Sequence, residues 1–202
     1  MKLYKRNRRI QGVGVNDADY NVNEHDVVNG KRKIVWQCPY YVVWSSMLVR
    51  CYSDKYQSKR PTYKDCNVCD EWVVFSNFKA WMEKQDWEGK HLDKDLLKEG
   101  NKVYSPEYCI FLDCKINSFV LDRGATRGKW LLGVSLTKDC HRFRARCSNP
   151  FTGKREHLGL FINELEAHLA WKTRKHELAC QLADSEYCND PRLAEALRTR
   201  YL

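Results

Sequence analysis

The chain has 202 residues, a hydrophobic content of 43% and a formal net charge of +9. This length allows one or two domains with a buried core. No run of about 18 apolar residues is present, which argues against a membrane span. The basic N-terminus also lacks the apolar stretch of a secretory signal. We therefore predict a cytoplasmic protein without a membrane partner, whose ten cysteines are mostly thiols or metal ligands.

Positive charge is concentrated towards the two ends of the chain. Residues 1–33 contain eight Lys/Arg and four Asp/Glu, residues 34–118 contain twelve of each, and residues 119–202 contain fifteen and ten. The stretch 127–155 alone has eight basic residues and one acidic residue. This density is typical of a surface that binds phosphate groups, although a solvated basic face has the same composition.

The N-terminal half is predicted to be an arm followed by helices. Residues 1–35 form a basic N-terminal arm, and residues 36–84 are aromatic-rich. Apolar residues at spacings of three and four predict two helices, with a loop at Pro61 and Asp65 between them. The two apolar series are Trp36, Tyr40, Trp44, Met47, Leu48 and Cys51, and then Trp72, Phe75, Phe78, Trp81 and Met82.

The middle of the chain is predicted to contain short strands followed by a helix. Residues 91–97 are predicted to form a short strand, 99–102 a turn, 109–112 a second strand and 115–120 the start of a helix. A glycine-rich hinge follows at 123–128, and a tail from residue 183 contains Pro191 and a short helix.

Three short strands are predicted at 131–137, 141–147 and 155–160, before a helix that begins at the N-cap Asn163 and runs to about Cys180. Alternation in the middle strand places His141, Phe143, Ala145 and Cys147 on one face. We expect this face to pack on the helix through Leu165, Leu169 and Leu178.

The opposite face of this sheet is predicted to bind double-stranded DNA. It carries Arg142, Arg144 and Arg146 in a row, and a small sheet fits the major groove, where arginine forks match guanine edges or phosphates. The neighbouring strands add Ser135, Thr137, Lys154, Arg155 and His157. The competing interpretation is a surface sheet that arginine makes soluble.

Five short stretches occur in this segment at fixed spacings: Gly133-Val134-Ser135, Phe143-Arg144-Ala145, Gly153-Lys154, His157-Leu158-Gly159-Leu160-Phe161 and Glu164-Leu165-Glu166-Ala167-His168. Together they resemble the AP2/ERF DNA-binding domain over about 60 residues. Phe143 and His157 stand where that family often has tryptophan. The resemblance implies a three-stranded antiparallel sheet plus a helix.

The middle segment resembles a divergent HNH (ββα-metal) nuclease motif. The resemblance rests on Asp93-Lys94-Asp95, residues 104–111 and Ile116-Asn117. Phage proteins that join such a segment to an AP2 domain are similar over nearly the whole chain, including residues 14–19 and 44–52. The resemblance implies a phage-encoded, homing-type endonuclease that cleaves DNA in the host cytoplasm.

A phosphodiester hydrolase needs a hard cation with oxygen ligands and a base that activates water. Asp93 or Asp95, with Asn117, is predicted to hold one Mg²⁺ or Mn²⁺ ion. Lys94 stands where HNH motifs place a histidine, and His91 lies two residues earlier on the strand. Three alternatives stay open: His91 is the base, Lys94 is a base or phosphate clamp, or the site is inactive.

The cysteines suggest a structural metal as well. Cys66 and Cys69 have the spacing of a zinc knuckle, and Cys38 and Cys51 precede them, so four thiolates are a candidate Zn²⁺ site. The alternative is that Cys69 is a buried thiol beside Trp72.

The sequence thus predicts an α+β protein in four segments. They are the arm (1–35), an HNH-like nuclease domain (36–122), an AP2-like DNA-binding domain (128–182) and a C-terminal tail helix (183–202). The predicted function is sequence-directed, metal-dependent DNA cleavage; the alternative is an inactive DNA-binding regulator of the same architecture. No small-molecule cofactor is expected, and a monomer suffices to read an asymmetric site.

Overall fold

The computed structural model describes residues 9–121, 129–139 and 141–202. Within these residues the protein is a mixed α+β fold with small sheets and six α-helices, which confirms the predicted class at that level. The chain divides into two compact units, one ending at Phe111 and the other starting at Leu112. In the described part, no helix combines the length and apolar character needed to cross a membrane. The whole of the predicted hinge at 123–128, and residues 1–8 of the arm, lie outside the described residues.

The first unit is built around helices α1, α2 and α3, which span Pro39–Tyr52, Asp54–Lys59 and Phe75–Met82. Helix α1 buries Trp44, Met47 and Leu48, as the predicted apolar series requires. The rest of the core is largely aromatic: the Trp44 indole Nε1 donates to the Trp72 carbonyl at 2.7 Å, and the Trp72 and Trp81 ring centroids lie 4.4 Å apart. The residues of both predicted series therefore form the core of this unit, with Trp36 as an exception. Trp72 precedes α3 and lies in a short 3-10 turn, Asp70–Val73, instead of in the predicted helix.

Trp36 lies in a β-hairpin that the sequence analysis assigned to the arm and to the first helix. Strands β1 (Asn23–Val28) and β2 (Lys31–Gln37) pair antiparallel. Asn29 and Gly30, both with positive φ, form the turn. An Asn-Gly pair between strand-forming residues is a strong hairpin signal, and the basic composition of the region concealed it.

Two further pairs of short strands complete the first unit. Strands β3 (Asn67–Val68) and β5 (Val103–Tyr104) are parallel. Strand β4 (His91–Asp93) is hydrogen-bonded to β6 (Ile110–Leu112), and helix α4 (Cys114–Val120) follows β6 in the second unit. The predicted order of strand, turn, strand and helix is therefore present, although the first strand ends at Asp93 instead of residue 97.

The second unit contains the predicted three-stranded sheet. Strands β7 (Val134–Leu136), β8 (Phe143–Ser148) and β9 (Arg155–Phe161) are antiparallel in the order β7-β8-β9. Helix α5 (Glu164–Ala183) starts at the N-cap Asn163, whose side chain accepts the Leu165 N–H at 2.7 Å. Helix α6 (Pro191–Thr199) completes the unit and confirms the predicted tail helix.

The packing of α5 on the sheet differs from the prediction in two residues. Leu165 and Leu169 are exposed, whereas Ala167 is completely buried against Val134 and Ala145. Small alanine side chains let the helix approach the sheet closely, and leucines at this interface would hold the two apart. At Gly133, which has a φ of 78°, an added Cβ would lie 2.0 Å from the Trp171 ring, so the chain passes directly over the indole.

Helix α5 also carries a buried lysine. The Lys175 ammonium donates to the Phe119 carbonyl at 2.6 Å and lies 3.3 Å from the centroid of the Phe119 ring. Tyr201 provides a second ring, with its centroid 5.5 Å away. Burial, above all, lowers the pKa of Lys175 to about 8, because the charged form loses its hydration.

Candidate functional site: a basic sheet face and a carboxylate pair

The register of the three strands sets the outer face of the sheet. Arg144 lies opposite Ser135 of β7 and opposite Leu160 of β9, and Arg146 lies opposite His157. A register shift between Ala145 and Arg146 makes this last pairing possible. Ala145 and Cys147 are buried on the helix side, which confirms the predicted alternation from Phe143 to Cys147. The placement of His141 on the buried face was wrong, because His141 precedes β8 and is exposed, with a φ of 49°.

The outer face has an excess of positive charge. The register places Arg144 and Arg146 two residues apart on β8, with Arg155 on the paired strand β9. Burial, followed by repulsion from Arg144 and Arg155, lowers the pKa of the Arg146 guanidinium. The buried Arg144 Nε has no hydrogen-bond acceptor among the described residues. Across the same part of the chain, none of the three arginines forms an ion pair. The outer face therefore carries positive charges that no described acidic side chain pairs with, and a hydrogen-bond donor that no described acceptor contacts.

The one acid of β9 is directed away from this face. Glu156 accepts hydrogen bonds from Arg174 of α5 at 2.7 Å and from Asn149 at 2.7 Å. The hydrogen bond from Arg174 is the main reason that the pKa of Glu156 falls to about 2. Glu156 is thus ionised and already paired with Arg174, and it does not compensate the outer arginines.

The remaining predicted DNA-contacting residues border the arginines. Arg142, Lys154, Arg155 and His157 are exposed, and Ser135 is half-buried beside Arg144. The Thr137 hydroxyl has a structural role, because it donates to the Arg142 carbonyl at 3.0 Å and accepts the Arg142 N–H at 3.1 Å. These bonds close the end of the β7–β8 pair.

In the first unit, strand β4 leads into the predicted metal ligands. The Asp93 Oδ1 atom accepts the backbone N–H groups of Asp95 and Leu96, at 3.0 and 2.7 Å. Burial raises the pKa of the Asp93 carboxyl, and the charge of Asp95 raises it further. Two carboxylates that repel each other in this way are the donor set that a divalent cation would stabilise.

Lys94 is a structural residue in this loop. Its ammonium donates to Asp95 Oδ2 at 2.9 Å and to the Asn101 carbonyl at 2.9 Å. Although burial lowers the pKa of Lys94, the hydrogen bond and charge of Asp95 outweigh burial, so the pKa lies above its usual value. The lysine is therefore protonated at neutral pH, which argues against a role as general base.

Asn101 holds the other side of this loop, and the sequence analysis did not single it out. Its amide nitrogen donates to the carbonyls of Lys94 at 2.6 Å and Val103 at 2.7 Å. It follows Gly100, which has a φ of 73°. The Gly100-Asn101 pair after the acidic strand is the sequence signal for this turn, because glycine allows a positive φ and an asparagine side chain often bonds nearby backbone groups.

His91 is exposed at the start of β4, two residues before Asp93, and so lies on the same strand face. Behind the strand, Arg50 Nη1 donates to the Leu92 carbonyl at 3.5 Å. Asn117 is half-buried in α4, which belongs to the second unit. Its participation in a site with Asp93 stays a prediction.

The four candidate zinc ligands differ in their immediate contacts, although the Cys51 and Cys66 thiols lie close enough to interact electrostatically. The Cys38 thiol lies 3.4 Å from the Tyr20 hydroxyl, and the Cys66 thiol lies 4.0 Å from the Thr62 carbonyl. Burial raises the pKa of the Cys51 thiol to about 12 and also raises the pKa of Cys69. In the part of the chain that the structure describes, no group of three or more His, Cys, Asp or Glu residues is arranged to hold a metal ion. The zinc site stays a prediction.

Comparison with known proteins adds no relative. No protein-family model, no curated protein and no solved structure matches this chain.

Proposed function

We propose that the protein binds double-stranded DNA through the outer face of the β7–β9 sheet. The observation that carries this proposal is the cluster of Arg144, Arg146 and Arg155, whose charges repel one another and have no acid partner among the described residues. A polyanion would supply the missing negative charge. The resemblance to AP2/ERF domains supports the same partner.

A duplex accounts better than a small anion for the shape of this surface. The arginines extend along a strand and across to β9, and a guanidinium fork matches guanine O6 and N7 or two phosphate oxygens. His157 and Ser135 lie opposite Arg146 and Arg144, where each adds a hydrogen-bonding group.

The test is fluorescence anisotropy with a labelled mixed-sequence DNA duplex over a series of salt concentrations. Arg144→Ala is expected to weaken binding by about tenfold, within the range of roughly 1–3 kcal/mol for a guanidinium contact. Arg192→Ala is the matched control, since it removes the same charge from α6, where Arg192 is already paired with Asp190. Duplex affinity that is independent of salt and equal in the two variants would contradict the proposal.

A second candidate function is hydrolysis of the bound DNA, which the neighbouring carboxylates Asp93 and Asp95 favour, since the charge of Asp95 opposes ionisation of the buried Asp93 carboxyl. These residues, with Asn117 as the predicted third ligand, would hold Mg²⁺ or Mn²⁺, and the cation would polarise the scissile phosphate. Because Lys94 is held as an ammonium, His91 is the better candidate for the base that takes the proton from water. The setting that the resemblance implies is a phage-encoded homing endonuclease in the host cytoplasm.

Cleavage is tested with supercoiled plasmid in Mg²⁺ or Mn²⁺. The wild type is expected to nick or linearise the plasmid. Asp93→Asn and His91→Ala are expected to abolish this while retaining duplex affinity. Glu88→Gln, a charge change at an exposed position outside the residues on which the HNH resemblance rests, is the control. If plasmid profiles with and without protein are identical but binding persists, the protein is the inactive DNA-binding regulator.

A further inference from the structure

The β1–β2 hairpin carries exposed cations and apolar residues together. Every residue of β2 is exposed, and so is β1 from Glu24 onwards. Lys31, Arg32 and Lys33 follow the turn directly, and Val27 and Ile34 are 67% and 49% exposed. An isolated two-stranded hairpin is marginally stable in water, so a hairpin with two open faces gains most from a partner.

The register distributes these groups over both faces. Val28 lies opposite Lys31 and Asp26 opposite Lys33 on one face, and Val27 lies opposite Arg32 on the other. Each face near the tip therefore combines an apolar side chain with a cation. Within residues 9–121, 129–139 and 141–202, the three cations form no ion pair, and Asp26 instead accepts the backbone N–H of Val27 at 2.7 Å.

We propose that this hairpin is a second DNA-binding element, which enters a groove of double-stranded DNA. A two-stranded ribbon fits the major groove. There, cations on both faces of the tip reach the phosphates on either side, and the valine methyl groups contact thymine methyls or sugars. The proposal rests on the proposed function of the sheet, and charge complementarity selects DNA over an uncharged apolar partner.

Affinity measurements test the cations. The full chain carrying Lys31→Ala, Arg32→Ala and Lys33→Ala is compared with a chain carrying Lys55→Ala, Lys59→Ala and Lys64→Ala. The second set removes equal charge from exposed positions of the same unit. With a mixed-sequence duplex of about 30 base pairs, the hairpin variant is expected to lower the salt slope of log Kd by about 2 to 3, at roughly 0.9 for each phosphate contact. Equal slopes in the two variants overturn the proposal.

The outcome separates this proposal from that for the sheet. If Arg144→Ala weakens binding and the hairpin variant equals its control, only the hairpin proposal fails. If the wild type shows no salt-dependent duplex binding, the proposed function fails.

Photocrosslinking gives a second measurement that is independent of variant affinity. The photoreactive residue p-benzoylphenylalanine is placed at Val27, with Val42 of α1 as the control, since both side chains are exposed. A DNA adduct from position 27 and none from position 42 is expected. An adduct between two protein chains at position 27, in place of a DNA adduct, would identify the hairpin as a self-association surface and overturn the proposal.

Discussion

Replacing the buried Lys175 is expected to change how the stability of the second unit depends on pH. The folded-state pKa is about 8 and the ordinary value is 10.5. Below pH 8 the lysine is charged in both the folded and unfolded states, so the folded state bears the full cost of burying the ammonium. Between pH 8 and 10.5 the folded state has released its proton while the unfolded state still binds one. Stability therefore rises with pH in this window.

The size of the effect follows from the two pKa values. At about 1.4 kcal/mol for each pKa unit, the gain across the window is on the order of 3 kcal/mol. Lys175→Met keeps an unbranched side chain between the Phe119 and Tyr201 rings but removes the titrating group. The variant is expected to lack this gain, and to lose the hydrogen bond to the Phe119 carbonyl at every pH.

The measurement is urea unfolding at several pH values from about 7 to 10.5, followed by circular dichroism, with wild type and variant side by side. The contributions of other titrating groups cancel in the difference between the two proteins, apart from that of Cys147, which interacts electrostatically with Lys175. The difference in the free energy of unfolding is expected to shift in favour of the wild type as pH rises. A difference that stays constant over the window would refute the burial of a charged Lys175.

Three further changes test other parts of the fold. Gly133→Ala places a Cβ against the Trp171 ring at a positive φ, and is expected to cost about 2–3 kcal/mol of unfolding free energy, measured by urea titration. Glu156→Gln removes the ion pair with Arg174. Because that pairing lowers the pKa of Glu156, its contribution to stability is present above about pH 4.5 and is lost as the pH falls towards 2. The variant is therefore expected to lose roughly 0.5–1 kcal/mol of unfolding free energy at pH 7 and little at pH 2. Asn101→Ala leaves two buried carbonyls without donors and is expected to destabilise the first unit by about 1–3 kcal/mol, whereas Lys102→Ala at the exposed neighbouring position should have a smaller effect.

The parts of the fold that the sequence predicts best are those in which local pattern and packing agree. Strand β8 alternates between apolar and basic residues from Phe143 to Cys147, and Asn163 caps α5 as expected. Helix α1 buries the predicted Trp44 and Met47. In each case the side chains that set the local period are also the ones that contact the core.

Prediction is weaker where a distant segment decides which side chain is buried. Leu165 and Leu169 follow the helical period, but the passage of Gly133 over Trp171 brings the sheet close to Ala167. Periodicity alone does not reveal how closely two elements approach.

The chemistry of the acidic loop shows the same limit. From the sequence, Lys94 is a candidate for a base or a phosphate clamp. The hydrogen bond from its ammonium to the Asn101 carbonyl arises only when the loop folds back over seven residues. Burial alone would lower the pKa of Lys94, but the hydrogen bond and charge of the adjacent Asp95 raise it above its usual value.

The contact between Trp72 and Trp81 has a spectroscopic consequence. Two indoles with centroids 4.4 Å apart and planes inclined by 50° couple their electronic transitions, which gives a paired positive and negative band in circular dichroism. Both rings belong to the first unit, so this band reports the packing of that unit alone. The protein thus carries an intrinsic optical marker that allows melting of the first unit to be followed separately from melting of the second unit, without an added label.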